Sequence, residues 1–587
     1  MAPSKVRLRR AERAVRARQR IPDFGLRRAM LGTMLGVALV AVGATAFYRQ
    51  VIQTEYLKTE GAARYLREPA IPARRGMVTD RHGEPLAIST SVASIWADPV
   101  RLTGNDGIIP ALAAALELAP DKLEARLRTA AAKGRRFIYL RRRVEPPIAD
   151  AVTALIEQHK LAGLGMETEY RRYYPGGEMF GQVVGFTNID DEGQEGIELI
   201  ENDQLRAIPG RRRVIQDGRS TTVEEVEQLR PPHHGSDVVL SIDRRLQFLA
   251  YRELKAAMLE HRAAGASAVL LDVTTGEVLA LVNQPSFNPN APRREGPAAR
   301  RNRALTDVFE PGSTMKPLVV AAALEAGVVQ PGTPINTSPG VLQVGRNRVR
   351  DIHNYGLLDA TSVITKSSNV GVVKIAQRIE RKRLWELYSA LGFGKATGVG
   401  FPGEVNGRLT HFSRWSAFEY ATLAFGYGLS VNTMQLAQAY SVLAADGVRH
   451  PVTLYRTDQP GAGERVLSEE TARQVRAMME TVVSNKGTAR RAAVPGYRVA
   501  GKTGTAKKAT GHGYAAGRYQ AVFAGMAPAS KPRFVMVVMV DEPRGSSYYG
   551  GTVAAPTFAK VMQAALRLYN VPPDAAAEQM MLAGGEG

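Results

Sequence analysis

The stretch Glu310-Pro311-Gly312-Ser313-Thr314-Met315-Lys316-Pro317 decides how the rest of the chain is read. Its Pro-Gly pair marks a turn, and residues 318–326 are mostly apolar and helix-compatible, so a serine is delivered to a helix start. Three residues apart on a helix, Ser313 and Lys316 share a face. A serine hydroxyl is a weak nucleophile until a neighbouring base takes its proton. Lysine fills that role only as a neutral amine, which requires its pKa to fall from about 10.4 by roughly 3 units, at a cost of about 4 kcal/mol. Burial beside other cations supplies such a shift. A serine at a helix start also serves as an N-cap, and the tetrad alone does not separate the two roles.

Two further motifs follow in order. Ser367-Ser368-Asn369 is an S-x-N, set between helical stretches at residues 360–366 and 370–379. Lys502-Thr503-Gly504-Thr505 is a K-T-G on a strand-like run able to pass the serine. Three motifs on three separate elements are far more specific than any one of them. A rival pattern overlaps the last: Gly496-Tyr497-Arg498-Val499-Ala500-Gly501-Lys502-Thr503 satisfies the phosphate-loop formula G-x-x-x-x-G-K-T. A phosphate loop must open an amphipathic helix, whereas Thr503 leads into Gly504, Lys507, Lys508 and Gly511 with no helical period. The nucleotide reading fails there. No H-E-x-x-H spacing and no G-x-S-x-G elbow occurs, and Gly392, Gly394 and Gly398 miss the dinucleotide pattern by one residue. His353, in Asp351-Ile352-His353-Asn354-Tyr355, reads as a structural hydrogen-bonder. His233 and His234 read as linker surface.

Composition narrows the remaining classes. The 587 residues are 44% hydrophobic and 23% charged, a folded chain too long for one core. Absence of cysteine excludes disulfides, thiolate nucleophiles and cysteine-ligated metals. A net charge of +21 invites a nucleic-acid partner, but residues 1–28 alone hold ten Lys/Arg against Glu12 and Asp23. Residues 29–48 then run without a charge. As a helix they reach roughly 30 Å, a bilayer core. The basic flank keeps the N-terminus cytoplasmic and sends everything after Arg49 outside. Ala44-Thr45-Ala46 offers a signal-peptidase site as the rival, but leader and apolar run are both long for a signal peptide. An uncleaved anchor is expected, with the remaining charge on solvated surface and no nucleic-acid partner.

The pattern of elements predicts an α/β, multi-domain chain. A basic tail (1–28) and an anchor (29–48) precede a non-catalytic mixed module (49–236) that mixes short strands with helices near 109–132 and 147–159. The proline-rich segment 231–236 reads as its boundary. In the second module (237–570), two apolar runs joined across Thr274-Thr275-Gly276 form a hairpin. Residues 497–508, 519–526 and 533–540 add three late strands. Together they predict one five-stranded, mainly antiparallel sheet flanked by helices, with a helical subdomain between its halves. A closing helix is expected at 556–569 and a disordered tail at 571–587.

With the motifs placed, the chain resembles the class B penicillin-binding proteins, and among them the division-specific, septal peptidoglycan D,D-transpeptidases of the penicillin-binding protein 3 type. The first module carries Arg75-Gly76-Met77-Val78-Thr79-Asp80-Arg81-His82-Gly83-Glu84-Pro85-Leu86-Ala87, similar to the family's R-G-x-I-x-D-R-x-G-x-x-L-A, with Val78 for isoleucine. It also carries Arg172-Tyr173-Tyr174-Pro175 and Gly193-Gln194-Glu195-Gly196-Ile197-Glu198, and the second module Gly426-Tyr427-Gly428. Asn369 in S-x-N and Lys507 after K-T-G-T-A resemble division enzymes more than elongation ones. The resemblance implies a dimerisation-like pedestal before a penicillin-binding transpeptidase domain in the periplasm at the division site, anchored in the inner membrane. It implies that Ser313 acylates on the penultimate D-Ala of a stem pentapeptide and that an amine of a neighbouring stem then takes the acyl group. Lys316 is the implied acylation base, Ser367 a proton relay, and Asn369 the holder of the substrate amide. In the substrate-binding run Lys502, Thr503, Gly504 and Thr505, Lys502 is implied to contribute positive charge, Thr503 and Thr505 to bind the terminal carboxylate, and the backbone amides of Thr505 and Ser313 to form the oxyanion hole. Stem peptides, β-lactam antibiotics, the membrane and division proteins including a SEDS-family glycan polymerase are the implied partners, and no cofactor or metal is implied. The alternatives are an elongation-type transpeptidase and a membrane sensor or scaffold. A β-lactamase is disfavoured because no E-x-x-L-N lies between Asn369 and Lys502.

Overall fold

The computed structural model describes residues 25–102, 106–216, 222–510 and 513–575. Helix α1 (Gly25–Phe47) continues through one wide turn, Tyr48–Ile52, into a second helix, Thr54–Tyr65. None of the side chains of α1 is buried, so its apolar surface has no partner within the described residues. The basic tail read at residues 1–28 lies outside the described residues up to residue 24.

Strands β1 (Pro85–Ala97), β2 (Ile138–Val144) and β3 (Leu164–Tyr173) form the antiparallel heart of the first module, with β1 between the other two. Its upper part has its own small core, built on Ile95, Leu112, Leu123, Leu127, Leu140, Val144 and Val152. The lower part does not stand alone. Val78, Leu86, Tyr174 and Phe180 belong to the same continuous core as the five-stranded sheet of the second module, and Val78-Thr79 pairs in parallel with Val238-Val239.

The sequence motifs of the first module meet at one carboxylate. Glu198 is fully buried and accepts from Arg75 Nε at 2.7 Å and Arg172 Nε at 2.6 Å, while Arg75 also reaches the Glu198 carbonyl at 2.8 Å. Removing the carboxylate leaves two buried guanidinium groups uncompensated, which costs about 3–5 kcal/mol. Glu198→Ala is therefore expected to lower the unfolding temperature of the chain by scanning calorimetry; an unchanged transition would mean that the pair carries no stability. The stretch after Arg75 ties the two modules together: Asp80 accepts from the backbone N–H of Arg244 at 3.1 Å, and Arg81 pairs with Glu277 at 3.1 Å.

The second module opens with α2 (Arg244–Glu260), capped by the Asp243 side chain, followed by β4 (Gly265–Asp272) and β5 (Val278–Gln284). Next come α3 (Lys316–Glu325), α4 (Ala360–Lys366), α5 (Asn369–Ala376), α6 (Thr433–Ala444) and α7 (Glu469–Glu480). The chain then returns to the sheet through β6 (Ala500–Thr510), β7 (Gly513–Ala527) and β8 (Phe534–Asp541), and closes with α8 (Ala555–Leu568). Strand order is β5-β4-β8-β7-β6, antiparallel throughout, with Val269 opposite Val537 and Thr503 opposite Phe523. The near-continuous apolar runs of β4, β5 and β8 follow from cover on both faces: α2 and α8 pack on one, the wholly buried α6 on the other. Strand β6 is left at the edge, beside the turn that holds Ser313.

The described part of the tail departs from expectation. Asp574 accepts from the Arg498 N–H and the Ser530 hydroxyl, both at 2.7 Å, and the Ala575 N–H donates to the Gly496 carbonyl. These bonds dock the chain through residue 575; residues 576–587 lie outside the described residues.

Candidate active site

Ser313 sits in a tight turn, Gly312–Met315, whose last residue hands over to α3 at Lys316. Gly312 takes a positive φ of 57°, which lets the chain reverse after Pro311. The turn is held from below by the Tyr440 hydroxyl of α6, which donates to the Thr314 carbonyl at 2.7 Å. Edge strand β6 lies against it. A Cβ on Gly504 would stand 2.7 Å from the Pro311 carbonyl oxygen and 3.0 Å from Thr314 Cγ2, so a larger residue would push the strand off the serine. That close approach is why glycine stands in the K-T-G.

The structure brings Lys316, Ser367, Asn369, Lys502 and Thr503 into one hydrogen-bonded set. Lys316 is fully buried, and its Nζ contacts the Ser367 carbonyl, Ser367 Oγ at 3.1 Å and Asn369 Oδ1 at 2.7 Å. Lys502, also fully buried, donates to Ser367 Oγ at 3.0 Å and to Thr503 at its carbonyl (3.1 Å) and Oγ1 (3.3 Å). Ser367 thus stands between two amines. It adopts a left-handed φ of 60° at the end of α4, an uncommon conformation for a residue with a Cβ. Ser313 Oγ makes no hydrogen bond of its own among the described residues; Lys316 shares its helix face but is engaged with Ser367 and Asn369. Thr503 shares its hydroxyl with Thr488 at 2.9 Å, and Thr505 Oγ1 accepts from the Gly550 N–H at 3.1 Å.

Electrostatics follow from this crowding. Burial drives the Lys316 pKa well below its usual value, the Lys502 charge drives it further, and Asp351 opposes both. Burial alone brings Lys502 down to about 7. The cluster therefore contains an amine able to be neutral in water near neutral pH, next to a serine that lacks a partner. That is a nucleophile–base arrangement.

Lys502 and Thr503 lie on a strand paired with β7 that runs on to Thr510, so they do not open a helix. The phosphate-loop reading is thereby closed. His353 sits in a surface loop, edge to face with Tyr355.

Residues 266–563 match the family model described as the penicillin-binding protein transpeptidase domain, and residues 70–240 match the penicillin-binding protein dimerisation domain. The chain belongs to the penicillin-binding protein transpeptidases. It is 42% identical over 552 residues to peptidoglycan D,D-transpeptidase FtsI of Escherichia coli, covering 93% of this chain and 92% of that one. It is 39% identical over 543 residues to the probable peptidoglycan D,D-transpeptidase PenA of Neisseria gonorrhoeae, covering 92% of each. Among solved structures, penicillin-binding protein 3 of Mycobacterium tuberculosis, complexed with aztreonam, superposes with a TM-score of 0.66 at 28% identity, covering 86% of this chain and 98% of that one. The apo transpeptidase domain of Burkholderia pseudomallei penicillin-binding protein 3 is 46% identical, with a TM-score of 0.54, and covers 57% of this chain and 98% of that one.

One residue of this penicillin-binding protein's site escapes a motif reading. Asp351 accepts from the Ser368 hydroxyl at 2.5 Å and from the backbone N–H groups of Asn369 and Val370, the latter at 3.0 Å. It caps α5 from outside and fixes the turn that carries Ser367 and Asn369. Its only signal in the sequence is an acid in the same pentapeptide as His353, sixteen residues before Ser367. Asp351→Ala strands those donors and is expected to cost about 1–3 kcal/mol in stability. It should also slow acylation by about 10²-fold, the usual cost of a misplacement of about 1 Å. Acylation at the wild-type rate in the folded variant would show that the turn holds itself.

Proposed function

We propose that this protein is a peptidoglycan D,D-transpeptidase of the penicillin-binding protein 3 type, acting through a serine acyl-enzyme that β-lactams also form. The observation that carries this reading is the Lys316–Ser367–Lys502 relay, with both lysines buried, beside a Ser313 that has no hydrogen-bond partner among the described residues, in a chain of this family. Edge strand β6 offers its outer backbone groups to an extended stem peptide, by strand addition. With the peptide's terminal carboxylate at Lys502 and Thr503, its penultimate carbonyl falls at Thr505, next to the turn of Ser313.

Ser313 Oγ attacks that carbonyl, and the bond to the terminal D-Ala breaks. A neutral Lys316 has two N–H groups and one lone pair for its three contacts. The N–H groups go to the Ser367 carbonyl and Asn369 Oδ1, so the lone pair faces Ser367 Oγ at rest. Turned toward Ser313, it takes the serine proton. Ser367, with Lys502 donating to its oxygen, passes a proton to the leaving amine. Backbone N–H groups of Ser313 and Thr505 hold the oxyanion, where one such donor is worth about 2.7–4 kcal/mol. The second nitrogen-bound hydrogen of Asn369, beyond the one given to the Arg350 carbonyl, is available to a substrate amide. An amine of a neighbouring stem then attacks the acyl carbon, the ester bond to Ser313 Oγ breaks, and the proton lost by the amine returns to Ser313 through Lys316.

Residues 29–48 anchor the chain, the pedestal spans 49–236, and the catalytic domain, 237–570, works outside the cytoplasm at the septum beside a SEDS-family glycan polymerase. Mass spectrometry after exposure to a β-lactam tests the chemistry: the adduct is expected on the peptide containing Ser313, and its absence overturns the reading. Topology has its own test. A reporter fused after residue 70 should be active only outside the cytoplasm, and the mature chain should retain Met30. A soluble product beginning at Phe47 would replace the anchor with a cleaved signal.

A further inference from the structure

Eleven residues in the upper part of the pedestal, at 133–143, carry six basic side chains. Four have acidic partners: Arg136 with Asp98 (3.5 Å), Arg141 with Glu117 (2.9 Å), Arg142 with Glu169 (2.6 Å) and Arg143 with Asp191 (3.1 Å). The other two, Lys133 and Arg135, have no carboxylate partner among the described residues. Both line a cavity of 750 Å³ whose wall includes Phe137 and Tyr139. That volume falls within the range of small-molecule sites, about 300–1,000 Å³. The cavity adjoins the small upper core, and the Lys316–Lys502 cluster takes no part in it.

The cavity wall is aromatic and pre-formed. Phe137 is 47% exposed, yet its ring is fixed: it stacks on Trp96 at 5.4 Å and meets Tyr139 edge-on at 5.0 Å. Stacking on Trp96 covers one face of Phe137 and leaves the other available. A fixed aromatic face beside two unpaired cations suits a ligand with a flat apolar face and a negative charge. An acidic protein strand fits less well, because Arg126 already caps the Tyr139 and Leu140 carbonyls of β2, at 2.5 and 3.1 Å.

We propose that this cavity is a second binding site, for an anionic saccharide whose pyranose ring lies on Phe137 and whose carboxylate meets Lys133 and Arg135. Taking the saccharide to be peptidoglycan's own glycan, with its lactyl-bearing amino sugars, rests on the function proposed above. The lactyl carboxyl is free only on a sugar that carries no stem, so the pedestal would then hold a stem-free stretch of the glycan.

The test uses the full chain in detergent, titrated with the lactyl-bearing disaccharide of N-acetylglucosamine and N-acetylmuramic acid and followed by tryptophan emission, since Trp96 backs the ring platform. Saturable binding is expected, weakening with salt as a charge-dependent contact must. It should weaken at least tenfold in a Lys133→Glu, Arg135→Glu double variant and in Phe137→Ala, and for an uncharged chitin disaccharide. Binding of a sugar-free stem peptide at this cavity, equal binding by the double variant, or no saturation in the millimolar range would each overturn the site. β-Lactam acylation of Ser313 is measured on the same samples: its retention shows that the variants are folded. Its absence in the wild type would sink the transpeptidase reading, separately from the saccharide site.

Discussion

Ser313→Ala is expected to abolish covalent labelling by penicillin while leaving the protein folded. The substitution removes one oxygen that makes no hydrogen bond among the described residues, so the native state loses almost nothing; even a helix-capping serine would cost at most about 2 kcal/mol. The turn itself is held by other groups, the Tyr440 hydroxyl on the Thr314 carbonyl and the close seat of Gly504. The chemistry, by contrast, loses its only candidate nucleophile within reach of the relay: Ser367 has its hydroxyl between two lysine amines and is already engaged by both. Intact-mass spectrometry should therefore show no adduct, with an unchanged unfolding transition. A stoichiometric β-lactam adduct on the folded variant would remove Ser313 from the mechanism.

Lys316→Ala should slow acylation by at least about 10²–10⁴-fold, the range general base catalysis supplies. The wild-type pH profile gives a sharper check, because the two lysines titrate in opposite functional senses. In the proposed mechanism acylation needs Lys316 neutral, so the rate is expected to rise as pH rises through its depressed pKa. Carboxylate binding needs Lys502 charged, so the rate falls as pH rises through about 7, the value to which burial brings that amine. A bell is expected. Lys502 also pushes the Lys316 pKa down by like-charge repulsion. Lys502→Met should thus lower the rate, remove the alkaline limb and move the acid limb to higher pH. Asp351 acts oppositely on Lys316, so Asp351→Asn should move the acid limb to lower pH. An acid limb that stays in place in both variants would show that Lys316 is not the titrating base.

The sheet was readable because its signals are local. The Thr274-Thr275-Gly276 turn between two apolar runs and the three late runs each declare themselves within a window of ten residues or so, and β4 to β8 appear where those runs lie. The edge position of β6 was not readable in that way. Nothing in residues 500–510 says which neighbour they lack; strand order is a property of the assembled sheet. The docking of residues 571–575, the described start of the tail, was not readable for a related reason. Small polar residues suggest disorder, but Asp574 finds two donors, Arg498 and Ser530, that are far from it in sequence.

What the sequence by itself determined about this protein is therefore the kind and order of its candidate groups: Ser313 with Lys316 one helical turn on, the S-x-N between two helices, and the K-T-G on a strand. Each of these depends on turn residues and periodicity that a single element sets. The tertiary structure alone decided how those groups meet. Lys316 meets Asn369 across 53 residues and Lys502 meets Ser367 across 135; burial of both amines lowers their pKa values; Asp351 holds the S-x-N turn; and three pedestal motifs converge on Glu198. The physical reason is the same in each case. A pKa or a buried ion pair is set by which segments exclude water together, and sequence spacing constrains only the residues that share one element.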